Sequence, residues 1–494
     1  MILSKMLSRM RKKSIETVFR NVDAMIPENI KNSDVLGIHY DSRKIKKGDL
    51  FVAIKGYKTD GHRYLESVNS SGAVAAVVED VNTDIDLPQI VTKNSRKIMA
   101  QASANFFAPE IDQMRLLGIT GTNGKTTTSF LIRSILEHAN VSSGLIGTIA
   151  YYIGNESKNA WNTTPESVDI CEMLYEMYNH GQKACVLEVS SHALTLERVS
   201  GLKFETAVFT NLSRDHLDFH KDEDDYFQAK AKLFTLLQPN ANAIVNTDDP
   251  FGRRLKDMIK DPVLSFGFDA AADIYPVDWQ MEMTGTHIKL MTPVGELKIN
   301  TKLIGEFNIQ NIMAAVGVGV ALELPLSETK TGIEALEYVP GRLQSVDILP
   351  ETKAFIDYSH TPDSLEKAIK TLRQVVKKRL IVVFGCGGDR DKGKRPIMGK
   401  IAETFSDFAI VTTDNPRTED PKAIIDDILS GMKESEKKKV IVDRREAIFE
   451  AVKMSEDGDI ILIAGKGHES YQEINGVKYD FNEVGIVQEA AAHV

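Results

Sequence analysis

Leu116-Leu117-Gly118-Ile119-Thr120-Gly121-Thr122-Asn123-Gly124-Lys125-Thr126-Thr127-Thr128 is an apolar run that enters a glycine-rich turn and leaves it on a lysine and three threonines. This order predicts a strand, a phosphate-binding loop and a helix. Gly121 and Gly124 let backbone N–H groups converge on phosphate oxygens, Lys125 brings a mobile positive charge, and the Thr126 hydroxyl is placed to ligate magnesium. The following helix carries Leu131, Ile135 and Ala139 on one face, so its N-terminal dipole end points at a nucleotide. Strict Walker spacing would put the first glycine at position 119, where Ile119 stands, with Gly118 and Gly121 on either side. An ordinary strand-to-helix turn explains the glycines but not the Gly-Lys-Thr-Thr behind them.

This variant, Thr120 to Thr127, resembles the ATP site of the Mur ligase family, which join amino acids to the nucleotide precursor of the bacterial cell wall. The resemblance covers essentially the whole chain. It implies an α/β protein of three domains: a small α/β uridine-nucleotide domain over residues 1–112, a central P-loop ATPase-like domain with a mainly parallel sheet over 113–340, and a Rossmann-like amino-acid-binding domain over 341–494.

Composition agrees with three domains, since 494 residues with 42% hydrophobic content build several cores. Cys171, Cys185 and Cys386 are too few and too scattered for a disulfide framework or a zinc site, which points to a reducing compartment and a cytoplasmic location. No apolar run reaches the length of a membrane span, so no stable insertion is expected. The basic stretch Met1 to Lys13 lacks a signal-peptide core and reads as a short amphipathic helix. A net charge of -10 argues against nucleic acid as a partner, so an anionic substrate must be met by local cations.

Toward the N-terminus, Gly37-Ile38-His39-Tyr40-Asp41-Ser42-Arg43 and Gly48-Asp49-Leu50-Phe51-Val52-Ala53-Ile54 read as strands with turns. A helix and the strand Ala73–Val78 complete a small α/β unit. With Asp60-Gly61-His62, these motifs resemble the family's uridine-nucleotide domain, which assigns Ser42 and the loop Tyr57-Lys58-Thr59 to the UDP-sugar.

Past the phosphate loop, strands and helices alternate, the sign of a mainly parallel sheet with ligands at the strand carboxyl ends. Asn162-Thr163-Thr164-Pro165 is either a helix cap before Glu166 or a polar ligand loop. Ala184-Cys185-Val186-Leu187-Glu188 is an apolar strand ending in a carboxylate, where a magnesium ligand would sit beside the phosphate loop; a lone Glu after a strand is otherwise solvated. Thr210 to His220 is dense in Asp and His, and Lys230 follows in the helical run Tyr226-Phe227-Gln228-Ala229-Lys230, where a surface lysine is the plain reading. The resemblance gives Asn162, Thr163, Thr164, Ser190 and Arg198 to the muramoyl substrate, with Leu196 where some relatives carry glutamine. It makes Glu188 and His216 metal ligands together with Thr126. It makes Lys230 a carbamate, formed with carbon dioxide, that binds a second magnesium and contacts the substrate. Carbamate formation needs the neutral amine, hence a lysine whose pKa is lowered by burial or cations. Met281–Leu290 and Gly295–Ile299 alternate as antiparallel strands of an added β-element. Asn308 and Asn311 in the next helix either cap it or reach the nucleotide.

A hinge is expected at Val339-Pro340-Gly341-Arg342. Beyond it the strands Leu380–Phe384, Phe408–Thr412 and Asp459–Ala464 each end in a polar or glycine-rich loop: Gly385-Cys386-Gly387-Gly388-Asp389-Arg390, Thr413-Asp414-Asn415-Pro416-Arg417 and Gly465-Lys466-Gly467-His468-Glu469. Three such loops at one sheet edge make a site. Asn475-Gly476 reads as a type I′ hairpin turn that closes the fold.

The resemblance implies an ATP-dependent ligase. ATP phosphorylates the free D-glutamate carboxylate of UDP-N-acetylmuramoyl-L-alanyl-D-glutamate, and the amine of meso-diaminopimelate displaces phosphate from the acyl phosphate. Gly121, Thr122, Asn123, Gly124, Lys125, Thr126, Thr127 and Asn308 hold ATP with Arg342, Asp357 and His360, so the domains close to complete the site. Lys125, Lys230, His216 and Glu188 are the catalytic set. Arg390, Asp414, Asn415, Pro416, Arg417, Gly465 and Glu469 hold diaminopimelate, Arg417 pairing with the carboxylate that L-lysine lacks. The chain is expected to act as a monomer. The alternatives are an L-lysine-adding ligase of the same family, a folate- or cyanophycin-type ligase, and a nucleotide-binding homologue without ligase chemistry.

Overall fold

The computed structural model describes residues 11–56, 59–213, 215–216, 219–433 and 436–493. Of the helix expected over Met1 to Lys13, residues 1–10 lie outside them, and the described residues Arg11, Lys12 and Lys13 are corrected, since none of them is helical. Lys13-Ser14 is a short strand paired with Asp34-Val35, because the Lys13 amine reaches the carbonyls of Asn105 and Ala108 instead of solvent. Tyr57, Lys58, Arg214, Leu217 and Asp218 also lie outside the described residues.

The chain divides into two compact units. The first, Met1–Tyr275 with Thr292–Val294 and Gln310–Gly332, is organised around the strand Arg115–Thr120. That strand lies inside an eight-stranded sheet, in the order Glu156–Asn159, Ala150–Ile153, Ser143–Ile146, Ala184–Glu188, Arg115–Thr120, Phe204–Phe209, Leu237–Asn246, Val263–Phe266. The last six are parallel, and the first two are antiparallel additions at one edge. Parallel strands covered on both faces are apolar throughout, and Ser143–Ile146 and Ala184–Glu188 are buried at every position. The parallel arrangement brings the segments after residues 120, 146, 188 and 209 to one edge, so the phosphate loop, Gly147-Thr148, Val189-Ser190 and Thr210–Ser213 become neighbours. The same unit contains the expected N-terminal elements as a four-stranded parallel sheet, Gly37–His39, Asp49–Val52, Ala75–Val78 and Gln89–Val91.

The second unit, Pro276–Met291, Gly295–Ile309 and Ile333–Val494, holds two further sheets and a hairpin. A three-stranded sheet runs Tyr275–Glu282, Gly285–Thr292, Gly295–Thr301. The strand expected over 281–290 is corrected, because a turn at Met283-Thr284 divides it and Gly285 at φ 150° follows. A Cβ at Gly285 would stand 2.1 Å from the Thr301 carbonyl. The six-stranded sheet has the order Gln344–Leu349, Thr352–Asp357, Ile460–Ala464, Leu380–Phe384, Phe408–Val411, Lys438–Val440, parallel after the first pair. Its three middle loops therefore share an edge. Asn475 and Gly476 both have positive φ, 50° and 77°, between the antiparallel strands Tyr471–Ile474 and Val477–Asp480, as a type I′ turn requires. The hairpin does not close the fold: a helix, Glu483–Ala491, follows it.

Candidate active site

Gly124 takes a left-handed φ of 86° as the N-cap of the helix Lys125–His138, and Gly121 has φ 148°. Side chains are excluded at both. A Cβ would lie 1.9 Å from Thr210 Oγ1 at position 121 and 2.3 Å from Asn311 Oδ1 at position 124. The loop is pinned from the neighbouring strand end. Thr122 N–H donates to the Asn211 carbonyl (2.9 Å), Asn123 N–H to Asn211 Oδ1 (2.9 Å), and the Thr210 hydroxyl to the Asn123 carbonyl (2.6 Å). Lys125 folds back over the turn, its Nζ 2.8 Å from the Gly121 carbonyl and 2.9 Å from that of Thr122.

Glu188 is not solvated; it is fully buried at its strand end. Its Oε2 accepts from the hydroxyls of Thr126 (3.1 Å) and Thr148 (2.8 Å), and its Oε1 from Thr148 N–H (3.2 Å) and Ser129 Oγ (3.3 Å). Thr148, Ser129 and Gly147 escaped the sequence reading. A Cβ at Gly147 would stand 2.3 Å from Glu188 Oε1, so a glycine and a threonine after the strand Ser143–Ile146 were the available signal. Cis ligands of an octahedral magnesium at about 2.1 Å are roughly 3 Å apart, which the Thr126 and Glu188 oxygens match. These residues therefore fit such an ion, with phosphate oxygens and water completing the shell.

Lys230, plainly read as a surface lysine, is 1% exposed. Its amine donates to the same Gly121 carbonyl at 2.8 Å and lies 4.3 Å from the centre of the Tyr226 ring. Burial first, and the Lys125 charge second, hold it well below the ordinary lysine pKa. His216 sits in the left-handed region at φ 54°, half exposed, with its ring 4.8 Å from that of His192 and 6.1 Å from that of Tyr226. Among the described residues no three His, Cys, Asp or Glu side chains cluster for a metal.

Thr164 does not cap a helix. The helix Ser167–Asn179 starts after Glu166 without a side-chain cap. The Thr164 hydroxyl instead donates to the Glu188 carbonyl (2.8 Å) and accepts from Ser190 N–H (3.1 Å), joining this loop to the end of the Glu188 strand. Thr163 bonds to Thr148 (3.1 Å), and the Asn162 N–H donates to the Tyr151 hydroxyl (3.1 Å). Arg198 donates to the Thr164 carbonyl at 2.8 Å and pairs with Glu166 at 2.9 Å. Ser42 begins a short turn whose cap, Asp41, is held at about 2 by the hydrogen bonds of Arg43. Asn311 accepts from the Thr128 hydroxyl at 3.3 Å, so neither it nor Asn308 is a cap.

In the second unit, Asn308 Nδ2 donates to the Ile304 carbonyl (2.8 Å). The half-buried Asp357 carboxylate accepts from Leu343 N–H (2.8 Å) and the Ser359 hydroxyl, and desolvation raises its pKa. Arg342 lies over the Tyr358 ring (5.0 Å), and His360 Nδ1 bonds to the Tyr358 carbonyl (2.8 Å). Gly341, at φ 64°, packs so closely on Gly467-His468 that a Cβ would stand 2.1 Å from His468 N. Along the loop edge Pro416 is buried, Arg390 is exposed, and Arg417 sits at φ 51°. Arg417 Nη1 donates to the Gly388 carbonyl (2.6 Å) and Nε stands 3.4 Å from Glu473 Oε2, which aligns its guanidinium along the edge. Asp414, Asn415, Gly465 and Glu469 gather beside it.

Family models match most of the chain: "Mur ligase family, catalytic domain" over residues 34–125, "Mur ligase middle domain" over 119–319 and "Mur ligase, glutamate ligase domain" over 341–467. A UDP-N-acetylmuramoyl-L-alanyl-D-glutamate–2,6-diaminopimelate ligase of Geobacter metallireducens is 42% identical over 476 residues, 91% of this chain and 93% of its own. The one from Clostridium perfringens is 42% identical over 483 residues, 96% of this chain and 98% of its own. A solved structure of an enzyme of that name aligns with a TM-score of 0.75 at 33% identity, over 98% of this chain and 99% of the other.

Proposed function

The chain belongs to the Mur ligase family, and on that premise we propose that it joins meso-diaminopimelate to the D-glutamate carboxylate of UDP-N-acetylmuramoyl-L-alanyl-D-glutamate in peptidoglycan precursor synthesis, using ATP. The observation that carries the reading is the pair of lysine amines on one carbonyl: Lys125 and Lys230 both stand 2.8 Å from Gly121 O, and Lys230 is buried there, its pKa lowered by desolvation first and the Lys125 charge second. A neutral amine beside a phosphate loop is what carbamate formation requires, and it has no use in a plain nucleotide-binding scaffold.

Phosphoryl transfer between two anions needs alignment and charge neutralisation more than covalent help. Lys125 swings from the loop carbonyls to the γ-phosphate, and the N–H groups at the start of the helix Lys125–His138 hold the other phosphates. Thr126 and Glu188 would hold magnesium, and His216 with carbamylated Lys230 a second ion, which neutralise charge on the transferring phosphoryl group when bound. Thr164, Ser190 and Arg198 form one hydrogen-bonded patch beside Glu188 and orient the muramoyl-dipeptide. Ser42 belongs to the uridine-nucleotide domain, residues 1–112, of the three-domain division at 113–340 and 341–494. The amine of diaminopimelate, held by Arg390, Asp414, Asn415, Pro416, Arg417, Gly465 and Glu469, then attacks the acyl phosphate and displaces inorganic phosphate, and Asn308, Arg342, Asp357 and His360 are assigned to ATP. A cytoplasmic location is part of the same reading, supported by three scattered cysteines and, among the described residues, no helix long and apolar enough to cross a membrane.

The test is phosphate release from ATP in the presence of UDP-N-acetylmuramoyl-L-alanyl-D-glutamate, with and without meso-diaminopimelate. Release that depends on both, with formation of the tripeptide product, is expected. Equal or greater use of L-lysine would overturn the amino-acid assignment.

A further inference from the structure

Lys466 follows the strand Ile460–Ala464 and is completely buried. Its Nζ donates to Asn415 Oδ1 at 2.8 Å and stands 3.5 Å from Glu469 Oε2. The same Oδ1 accepts from Glu473 N–H at 2.9 Å, while Asn415 Nδ2 donates to Glu469 Oε2 at 2.8 Å. This fixes the carboxamide in one orientation, because a flip would set its NH2 against two donors and its oxygen against a carboxylate. Asp414 completes the group, its Oδ2 lying 2.4 Å from where a Cβ of Gly465 would be.

Beneath these loops Arg444 and Glu483, both buried, pair at 2.7 Å and cancel, with Arg444 also donating to the Ala464 carbonyl at 3.0 Å. Of the side chains tied together through Asn415, one is a cation, Lys466, and two are carboxylates, Asp414 and Glu469. Burial lowers the Lys466 pKa, and those two carboxylates oppose that shift. Lys125 bonds to the carbonyls of Gly121 and Thr122 and Lys230 to that of Gly121, whereas Lys466 faces an amide whose second end holds an acidic side chain.

Resting on the reading of this edge as the diaminopimelate site, we infer that Lys466 is a positioning residue that sets amino-acid specificity, by locking Asn415 and Glu469 in place and leaving the pocket with the net charge of a single carboxylate. That charge matches one ammonium group, so the distal carboxylate of diaminopimelate is left for Arg417. Without the Lys466 charge the pocket gains a second negative charge, which penalises a ligand end carrying ammonium and carboxylate more than one carrying ammonium alone.

Lys466→Met and Lys466→Gln, checked for folding by thermal melting, are assayed with meso-diaminopimelate and L-lysine in competition and with ATP varied. The expected result is a fall of about tenfold or more in kcat/KM for diaminopimelate, an unchanged KM for ATP, and a preference for diaminopimelate over lysine narrowed by about fivefold. Gln retains a donor toward Asn415 and recovers part of the affinity, but being neutral it does not recover the preference. Parallel losses for both amino acids, or an unchanged preference in a folded variant, overturn the inference. Loss of folding in both variants also overturns it, assigning Lys466 to the fold. If the unmodified enzyme ligates no diaminopimelate, the reading of the reaction falls as well; normal ligation with unchanged preference removes only the role of Lys466.

Discussion

The loop edges of the two large sheets are built on the same principle and written differently. Both lie at the carboxyl ends of parallel strands, where loop backbones and helix N-termini converge. At the edge of the eight-stranded sheet, one continuous segment, Gly121 to Thr127, supplies the turn, the lysine and the helix start, and Thr210–Asn211 and Glu188 brace it. At the edge of the six-stranded sheet, no single segment is sufficient. Asn415, Lys466, Glu469 and Glu473 come from two loops and a hairpin, and each is defined by its bond to another. An anion can be bound by the N–H groups of a single turn, because they point the same way. A zwitterion needs opposite charges a few ångströms apart, which one short loop cannot present.

The largest effect that would break this contrast belongs to the phosphate loop. Lys125→Ala is expected to lower turnover by roughly a thousandfold while the thermal midpoint stays near that of the parent, since the lysine amine bonds to carbonyls of its own loop, at Gly121 and Thr122. Near-normal phosphate release by the folded variant would show that the motif does not carry the charge it spells.

Next in size is Lys230. Lys230→Ala should lose about a hundredfold or more in activity, and short carboxylic acids should restore part of it by occupying the place of the carbamate. Full activity without added acid would remove the modification from the mechanism. Because the amine must be neutral to react, activity should also depend on dissolved carbon dioxide.

Arg417→Ala sharpens the other side of the comparison. A charged bidentate contact is worth roughly 1.5–3 kcal/mol, so diaminopimelate kcat/KM should fall by about ten- to a hundredfold while ATP binding is unchanged. Comparable loss in ATP affinity would mean that the two edges do not divide the work.

The smallest expected effect is on stability. Burial, and then the Arg342 charge, press the His468 pKa down to about 4, below its unfolded value near 6.5. The folded state keeps the ring neutral where the unfolded chain protonates it, so this contribution is complete above pH 6.5 and is lost as the pH falls toward 4. Urea unfolding at pH 7 and pH 4.5 should differ by on the order of 2 kcal/mol more for the parent than for His468→Phe, after allowance for partial exposure. An identical difference in both proteins would place the acid sensitivity elsewhere.

Much of the fold was legible because local rules demand it. The strand Arg115–Thr120, the left-handed Gly124, the Asn475-Gly476 turn and the three loops after residues 384, 411 and 464 lie where the sequence places them. The errors also have local causes. Met281–Leu290 alternates as one strand, yet two turn residues interrupt it. Lys13 looked like the polar face of a helix until two carbonyls from distant residues claimed its amine. Ser129 carries no motif and Thr148 only a glycine before it at a strand end, so their place around Glu188 is what marks them.

The sequence alone determined most of the parallel strands, the positive-φ turns at Gly124 and Asn475-Gly476, and the strand, glycine turn and helix in series around Gly124, because these depend on a few adjacent residues and their steric freedom. The tertiary structure decided that Glu188 is enclosed by four donors, that Lys230 is buried with a lowered pKa, that Thr164 braces a loop and that Lys466 stands among Asn415, Asp414 and Glu469. Desolvation and Coulomb interaction are set by which groups surround a side chain in space, and those groups come from segments tens to hundreds of residues apart.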